Sequence, residues 1–267
     1  MTTDHVSNLL YDRTTGNQKN NVFFYVILGC LIIGAITRIV YCLRYPVPVR
    51  DSFEYYEIID VWNKTGRIPK GDCAPPLALF LLRLPSALFG LNILDGGICV
   101  NVLLSLLSII VFMRLAQFFV SSWFFSVLIG IIFATHPQLV HLSCQPIREI
   151  PYLFFTILSI YAVILYAKRN RGYFLALCSF FTGCAILCRY EAIENIFLIL
   201  LMILVLKGKK SLKKRIGTGI LYAAGCFVSI LFVLFLIGIP VDYYENVQYK
   251  IQEKQAVPAT MEKAPNV

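Results

Sequence analysis

Residues 22–43 read VFFYVILGCLIIGAITRIVYCL, a run whose one charged side chain is Arg38 and which has no polar face. A helix apolar on every side belongs in lipid, because a bilayer core calls for about 20 apolar residues rising about 1.5 Å each. The same texture returns at 102–113 (VLLSLLSIIVFM), 124–134 (FFSVLIGIIFA), 197–206 (FLILLMILVL) and 221–239 (LYAAGCFVSILFVLFLIGI). Hydrophobic residues make up 58% of the 267, and the mean hydropathy is +0.72. They come in blocks, not in the amphipathic periods of a soluble domain. The expected fold is all-α, a polytopic membrane helix bundle of about seven spans. The spans are placed at 22–43, 97–118, 122–140, 151–167, 172–188, 192–207 and 217–239. The first has no small-residue cleavage site after it and reads as an uncleaved insertion signal.

Short loops set the orientation. KRNR at 168–171 and KGKKSLKKR at 207–215 hold nine basic residues, whereas the loops at 141–150 and 189–191 hold only Arg148 and Arg189. Cytoplasmic loops are the ones enriched in Lys and Arg. Residues 1–21 are therefore expected as a cytoplasmic tail, 22–239 as the membrane domain with an outer loop at 44–96, and 240–267 as an outer polar tail. The net charge of +9 then reports cytoplasmic loops, not a nucleic-acid surface. The apolar stretch 75–90, with Arg83 in its middle and Pro85 beside it, is too short for a span. It is expected as a re-entrant or interfacial helix.

The outer loop is long for a connection between helices, and such loops usually carry function. Two helices are expected in it, Asp51–Lys64 and Leu77–Phe89. On a wheel of the first, Tyr55, Ile58, Ile59 and Trp62 form one stripe with Asp51 near its centre; Glu54 flanks it and Ser52 points elsewhere. A carboxylate on an apolar face needs a partner or a task. Asp51-x-x-Glu54 is equally a capping box with Asp51 as N-cap, and the two readings are compatible. Two further constellations lie at the same membrane face: SCQPIREIPY (143–152), with Arg148 and Glu149, and CRYEAIEN (188–195), with Arg189, Glu191 and Glu194. Ionisable groups at a span end are functional candidates, although an Arg148–Glu149 pair also serves as an interfacial anchor. Arg38 is expected to snorkel outward, His136 and His141 to be interfacial, and Cys73 and Cys144 to be placed where a disulfide is open to them. No nucleotide-binding, zinc-protease or serine-hydrolase motif is present.

The order of these features resembles a family. An arginine near the end of the first span is followed by RDSFEYYEIIDVW (50–62), TGRIP (65–69) and APPLALFLLRLPSALFG (74–90). This looks like the first outer loop of the GT-C glycosyltransferases, above all the protein O-mannosyltransferases and the bacterial aminoarabinose and lipopolysaccharide sugar transferases. REIPYLFFTILSIYAVI (148–164) and FFTGCAILCRYEAI (180–193) resemble later segments of the same family. Two departures stand out: many members carry a second acid where this chain has Ser52, and members are commonly longer.

The resemblance implies an inverting transferase that moves a sugar from a polyprenyl- or dolichyl-phosphate donor to a lipid, glycan or protein acceptor at the outer face. It implies Asp51 as the catalytic residue. Glu54, Tyr55, Arg148, Glu149, Arg189 and Glu191 are the candidate substrate-binding residues, with the two arginines toward the donor phosphate. It names no certain cofactor, assigns no metal ligand, and leaves a divalent metal open. The expected partners are the lipid-linked sugar, its acceptor and membrane lipids. The expected place is a bacterial plasma membrane, or the ER membrane in a eukaryote. The rivals are a transporter or flippase, which would put charges at the midplane, and a non-catalytic accessory subunit.

Overall fold

The structure is a computed structural model that describes residues 3–45, 48–69, 74–120, 123–206 and 211–238, and of residues 3–21 and Trp123 the backbone alone. The described residues form ten α-helices and one 3₁₀ turn. They are α1 (Thr3–Arg44), α2 (Arg50–Thr65), α3 (Pro76–Phe89), α4 (Ile93–Ala116), α5 (Trp123–Thr135), α6 (Pro137–Ser143), α7 (Glu149–Arg169), α8 (Gly172–Cys188), the 3₁₀ turn Tyr190–Ile193, α9 (Glu194–Leu206) and α10 (Leu212–Ile237). Both helices expected in the outer loop are present, each one residue longer at its start.

Four helices are long and apolar enough to cross a membrane: Val22–Arg44 of α1, α4, α7 and α10. A fifth candidate among the described residues is the pair Phe124–Thr135 and Pro137–Ser143, bent by 52°, which has the form of a broken span or of a re-entrant loop. Where one straight span was expected at 122–140, the chain bends between Thr135 and Pro137. Pro137 has no N–H to donate and opens α6 at its first position, a place proline favours. Two other expected spans are shorter helices, α8 with 17 residues and α9 with 13.

Contacts at the helix ends show that successive helices alternate in direction. At one end the Tyr41 hydroxyl of α1 lies 2.7 Å from Nδ1 of His141 in α6. Asn101, near the start of α4, bonds the turn before α7. Tyr190 donates to the Ala74 carbonyl, and Ile237, the last residue of α10, packs against the α2–α3 cluster. At the other end Arg114 of α4 lies over Phe23 of α1, and Lys168 of α7 over Phe118 beyond α4. We call these the α2 end and the far end.

Arg38 corrects an expectation. It does not snorkel: it is 0% exposed and turns inward between α1, α4 and α5. Its Nε and Nη2 donate to Ser105 Oγ, at 3.1 and 2.7 Å, and its Nη1 donates to the Gly34 and Ala134 carbonyls, both at 2.9 Å. An arginine at the centre of a span costs about 2.5–3.5 kcal/mol on insertion scales. Four hydrogen bonds donated to neutral acceptors offset that cost, and a glycine at 34 leaves room for the guanidinium, which would stand 3.3 Å from a Cβ there. Cys144 is a buried free thiol on the Arg38 carbonyl and has Cys42 as a hydrogen-bonding neighbour. Cys73, its expected disulfide partner, and the tail 240–267 lie outside the described residues.

Candidate functional site

α2 is placed by its own apolar stripe. Tyr55, Ile58, Ile59 and Trp62 are buried against Leu79, Leu82 and Ile147. Gly66, at φ 70°, ends the helix in the left-handed conformation that glycine tolerates best. Arg83 of α3 closes over the Trp62 ring at 4.4 Å from its centroid and donates to Asn63 Oδ1 at 2.7 Å.

The start of α2 differs from the wheel. The N-cap is Val49, with no side-chain cap, so Asp51 is not the capping residue. Asp51 sits in the first turn and is exposed, while Ser52 is fully buried. A wheel gives direction around the axis but not depth along it. Val49 and Ser52 turn toward the packed side, and Asp51 between them is exposed. There its charge meets the positive pole of the helix. Glu54 is also exposed and pairs loosely with Arg50 at 3.4 Å.

At the mouth of α7, Arg148 Nε is 3.7 Å from Glu149 Oε1 and Arg148 Nη2 is 3.9 Å from Glu191 Oε1. Arg189 Nε is 3.5 Å from Glu191 Oε2, and its guanidinium lies 5.6 Å from the Tyr152 ring centroid. These are ion pairs too long for well-formed hydrogen bonds. The Nε atoms of both arginines are buried and have no hydrogen-bond acceptor among the described residues. Glu191 is held below the usual carboxylate range, chiefly by its own backbone N–H and further by Arg148 and Arg189; partial burial opposes them.

Tyr55 joins the two halves of the site. Burial raises the pKa of its phenol. The Arg148 charge opposes that rise, and the carboxylates of Glu149, Asp51 and Glu54 add to it. The charges of Arg148, Glu149, Asp51 and Glu54 thus all act on the Tyr55 hydroxyl, and ion pairs link Arg148 onward to Glu191 and Arg189. Glu194 opens α9 beside them. The seven candidate site residues, Asp51, Glu54, Tyr55, Arg148, Glu149, Arg189 and Glu191, lie at the α2 end. Among the described residues no three His, Cys, Asp or Glu side chains gather to hold a metal ion.

Sequence reasoning missed Gln145 and Asn101. Both are buried, Gln145 in the turn between α6 and α7 and Asn101 inside α4, where it bonds that turn. The available signal was an asparagine inside an apolar span and a glutamine before Pro146, each polar where only a bonded polar group is tolerated.

A family profile described as dolichyl-phosphate-mannose-protein mannosyltransferase matches residues 73–237. The chain belongs to that family. It is a membrane glycosyltransferase of the GT-C type, as the resemblance implied. The match spans α3 to α10 and includes Arg148, Glu149, Arg189 and Glu191. It begins after α2, so Asp51, Glu54 and Tyr55 are attached to the family by the fold's proximity and by the sequence resemblance alone. Comparisons with curated proteins and with solved structures give no match.

Proposed function

We propose that this chain transfers a hexose or pentose from a polyprenyl- or dolichyl-phosphate donor to a lipid, glycan or protein acceptor, with inversion, at the outer face of its membrane. The observation that carries this reading is the ion-paired group of Arg148, Glu149, Arg189 and Glu191 at the same end of an apolar bundle as Asp51 and Tyr55. Sugar transfer passes through an oxocarbenium-like state. A lipid-phosphate leaving group needs its growing charge stabilised, not a proton, and Arg148 and Arg189 offer forked donors suited to phosphate oxygens. Glu149 and Glu191 hold the two guanidinium planes. Asp51 is proposed as the base that takes the acceptor proton as it attacks the anomeric carbon. Its exposure fits that task, since an acceptor arrives from solvent. Glu54 and Tyr55 line the acceptor side.

The bundle is read as about seven passes, with α8 and α9 crossing as short helices. The basic loops put the far end in the cytoplasm and the α2 end outside, in a bacterial plasma membrane or in the ER.

Purified chain given a synthetic lipid-phosphate mannose and candidate acceptors tests the activity. Product of inverted anomeric configuration is expected. Sealed vesicles test the orientation in a cysteine-free background. An impermeant maleimide should reach Arg50→Cys from outside and not Ser211→Cys. Outside labelling of Ser211→Cys overturns the orientation, and turnover absent with every lipid-phosphate sugar favours the accessory-subunit reading.

A further inference from the structure

The carboxylate side and the arginine side of the site come from segments about a hundred residues apart, and one side chain bridges them. Gln145 lies in the turn between α6 and α7 and is 2% exposed. Its Oε1 accepts the backbone N–H of Val49 at 3.0 Å and the Ser52 hydroxyl at 3.4 Å. Those two residues bracket Asp51. The turn is itself fixed from the other side. Asn101, in the membrane span α4, donates its Nδ2 to the Gln145 carbonyl at 2.5 Å and to the Ile147 carbonyl at 2.8 Å. Ile147 precedes Arg148.

Close approach is built in at the same place. A Cβ on Gly97 would stand 2.6 Å from Pro146 Cβ. Gly97 and Asn101 are one helical turn apart on one face of α4, so glycine at the first lets the asparagine at the second reach both carbonyls. Asn101 is 0% exposed and its Oδ1 has no hydrogen-bond partner among the described residues. A buried amide oxygen left unpaired is a cost. The residue is therefore explained by what its Nδ2 donates, and two facing carbonyls fix the amide orientation. Ser52 fits the same scheme: its hydroxyl is buried against Gln145.

We infer that Gln145, anchored by Asn101, is a positioning residue that sets the distance between Asp51 on α2 and Arg148–Glu149 on α7. The inference rests on the transfer reading above. The clasp makes no contact with donor or acceptor. It holds the first turn of α2 to the mouth of α7. Base and phosphate-binding groups must be held to within a fraction of an ångström for transfer, and a misplacement of about 1 Å costs up to about 100-fold.

Two readouts on full-length protein in nanodiscs test this. The first is amide hydrogen exchange at Val49, resolved by overlapping peptides. Gln145→Leu removes the acceptor and should speed exchange at least about fivefold. Gln145→Glu keeps an acceptor oxygen in either protonation state and should restore protection. Asn101→Leu frees the turn without touching α2 and should act like Gln145→Leu. The second readout is transfer kinetics. Gln145→Leu should lower kcat at least about tenfold with donor KM nearly unchanged, and Gln145→Glu should recover most of it. In an Asp51→Asn background the same change should cost less than about threefold more, because there is no base left to position. Unchanged Val49 exchange in a folded Gln145→Leu overturns the clasp. Faster exchange with parent kcat, or an equal loss in the Asp51→Asn background, overturns the positioning role. A parent inactive on every lipid-phosphate sugar sinks the transfer reading, and the positioning role with it, while the exchange result still decides whether the clasp exists.

Discussion

The two ends of the bundle use the same cations differently. At the far end, Arg114 lies over Phe23, Lys168 over Phe118 and Arg169 over Phe174, and Arg215 caps the Leu204 carbonyl at 2.6 Å. None of these four has an ion-pair partner among the described residues. Cations over rings and on the last carbonyls of helices are anchors at a membrane interface. At the α2 end, Arg148 and Arg189 share Glu149 and Glu191; a buried Nε without an acceptor among the described residues is common to both ends, since Arg215 has one too. Residue type does not separate the two ends. Carboxylates do: they hold arginine forks in place in a partly dry setting, where a phosphate would find them already oriented.

The comparison is broken or sharpened most strongly at Asp51. Asn is nearly isosteric but cannot take a proton, and loss of a positioned base typically costs about 10²–10⁴-fold. Asp51→Asn should fold as the parent does by detergent gel filtration and lose at least about 100-fold in transfer rate. Because Asp51 is not the N-cap, capping cannot account for such a loss. Glu54→Gln should cost less; a dead Glu54→Gln beside an active Asp51→Asn would move the base to Glu54. Next come the arginines. Arg148→Lys and Arg189→Lys keep the charge but lose the fork, so donor KM should rise about 10- to 100-fold, read by titrating lipid-phosphate sugar. Parent-like KM in both variants would place the phosphate elsewhere.

At the far end, Arg114→Ala and Lys168→Ala should leave turnover within about twofold while lowering stability by about 0.5–1 kcal/mol, measured as the thermal midpoint in detergent. A large loss of turnover there would erase the distinction between the ends. The smallest effect is expected of Glu191 in acid. Its folded pKa lies below the ordinary value near 4.3, so its carboxylate, held chiefly by its own backbone N–H and further by Arg148 and Arg189, contributes stability above that pH that is lost as pH falls through the folded value. The parent should be more stable than Glu191→Gln by less than about 1 kcal/mol near neutrality, because the carboxylate is largely exposed. That margin should vanish on acidification.

Much of the fold was legible because lipid imposes a simple demand. Runs apolar on every face have one use, and α1, α4, α7 and α10 answer to it. The gathering of Arg148, Glu149, Arg189 and Glu191 was legible for a related reason: alternating helices return every second connection to the same end. Depth was not legible. Residue periodicity put Asp51 on the packed stripe, but in the first turn Val49 and Ser52 face the packing and Asp51 is exposed. Periodicity likewise left open whether Arg38 reached outward or inward. What decides it is the set of neighbours, Ser105, Gly34 and Ala134, that long-range packing supplies. Gln145 and Asn101 were missed because their bonds join segments far apart in the chain.

The central claim is that the α2 end, and only that end, receives the lipid-linked sugar. The most direct measurement is photocrosslinking of the purified chain with a polyprenyl-phosphate sugar whose headgroup carries a photoreactive group, followed by peptide mapping. Adducts are expected within 148–152 and 189–191, competed away by unlabelled donor. Competed adducts confined to 168–174 or 211–216 would contradict the account.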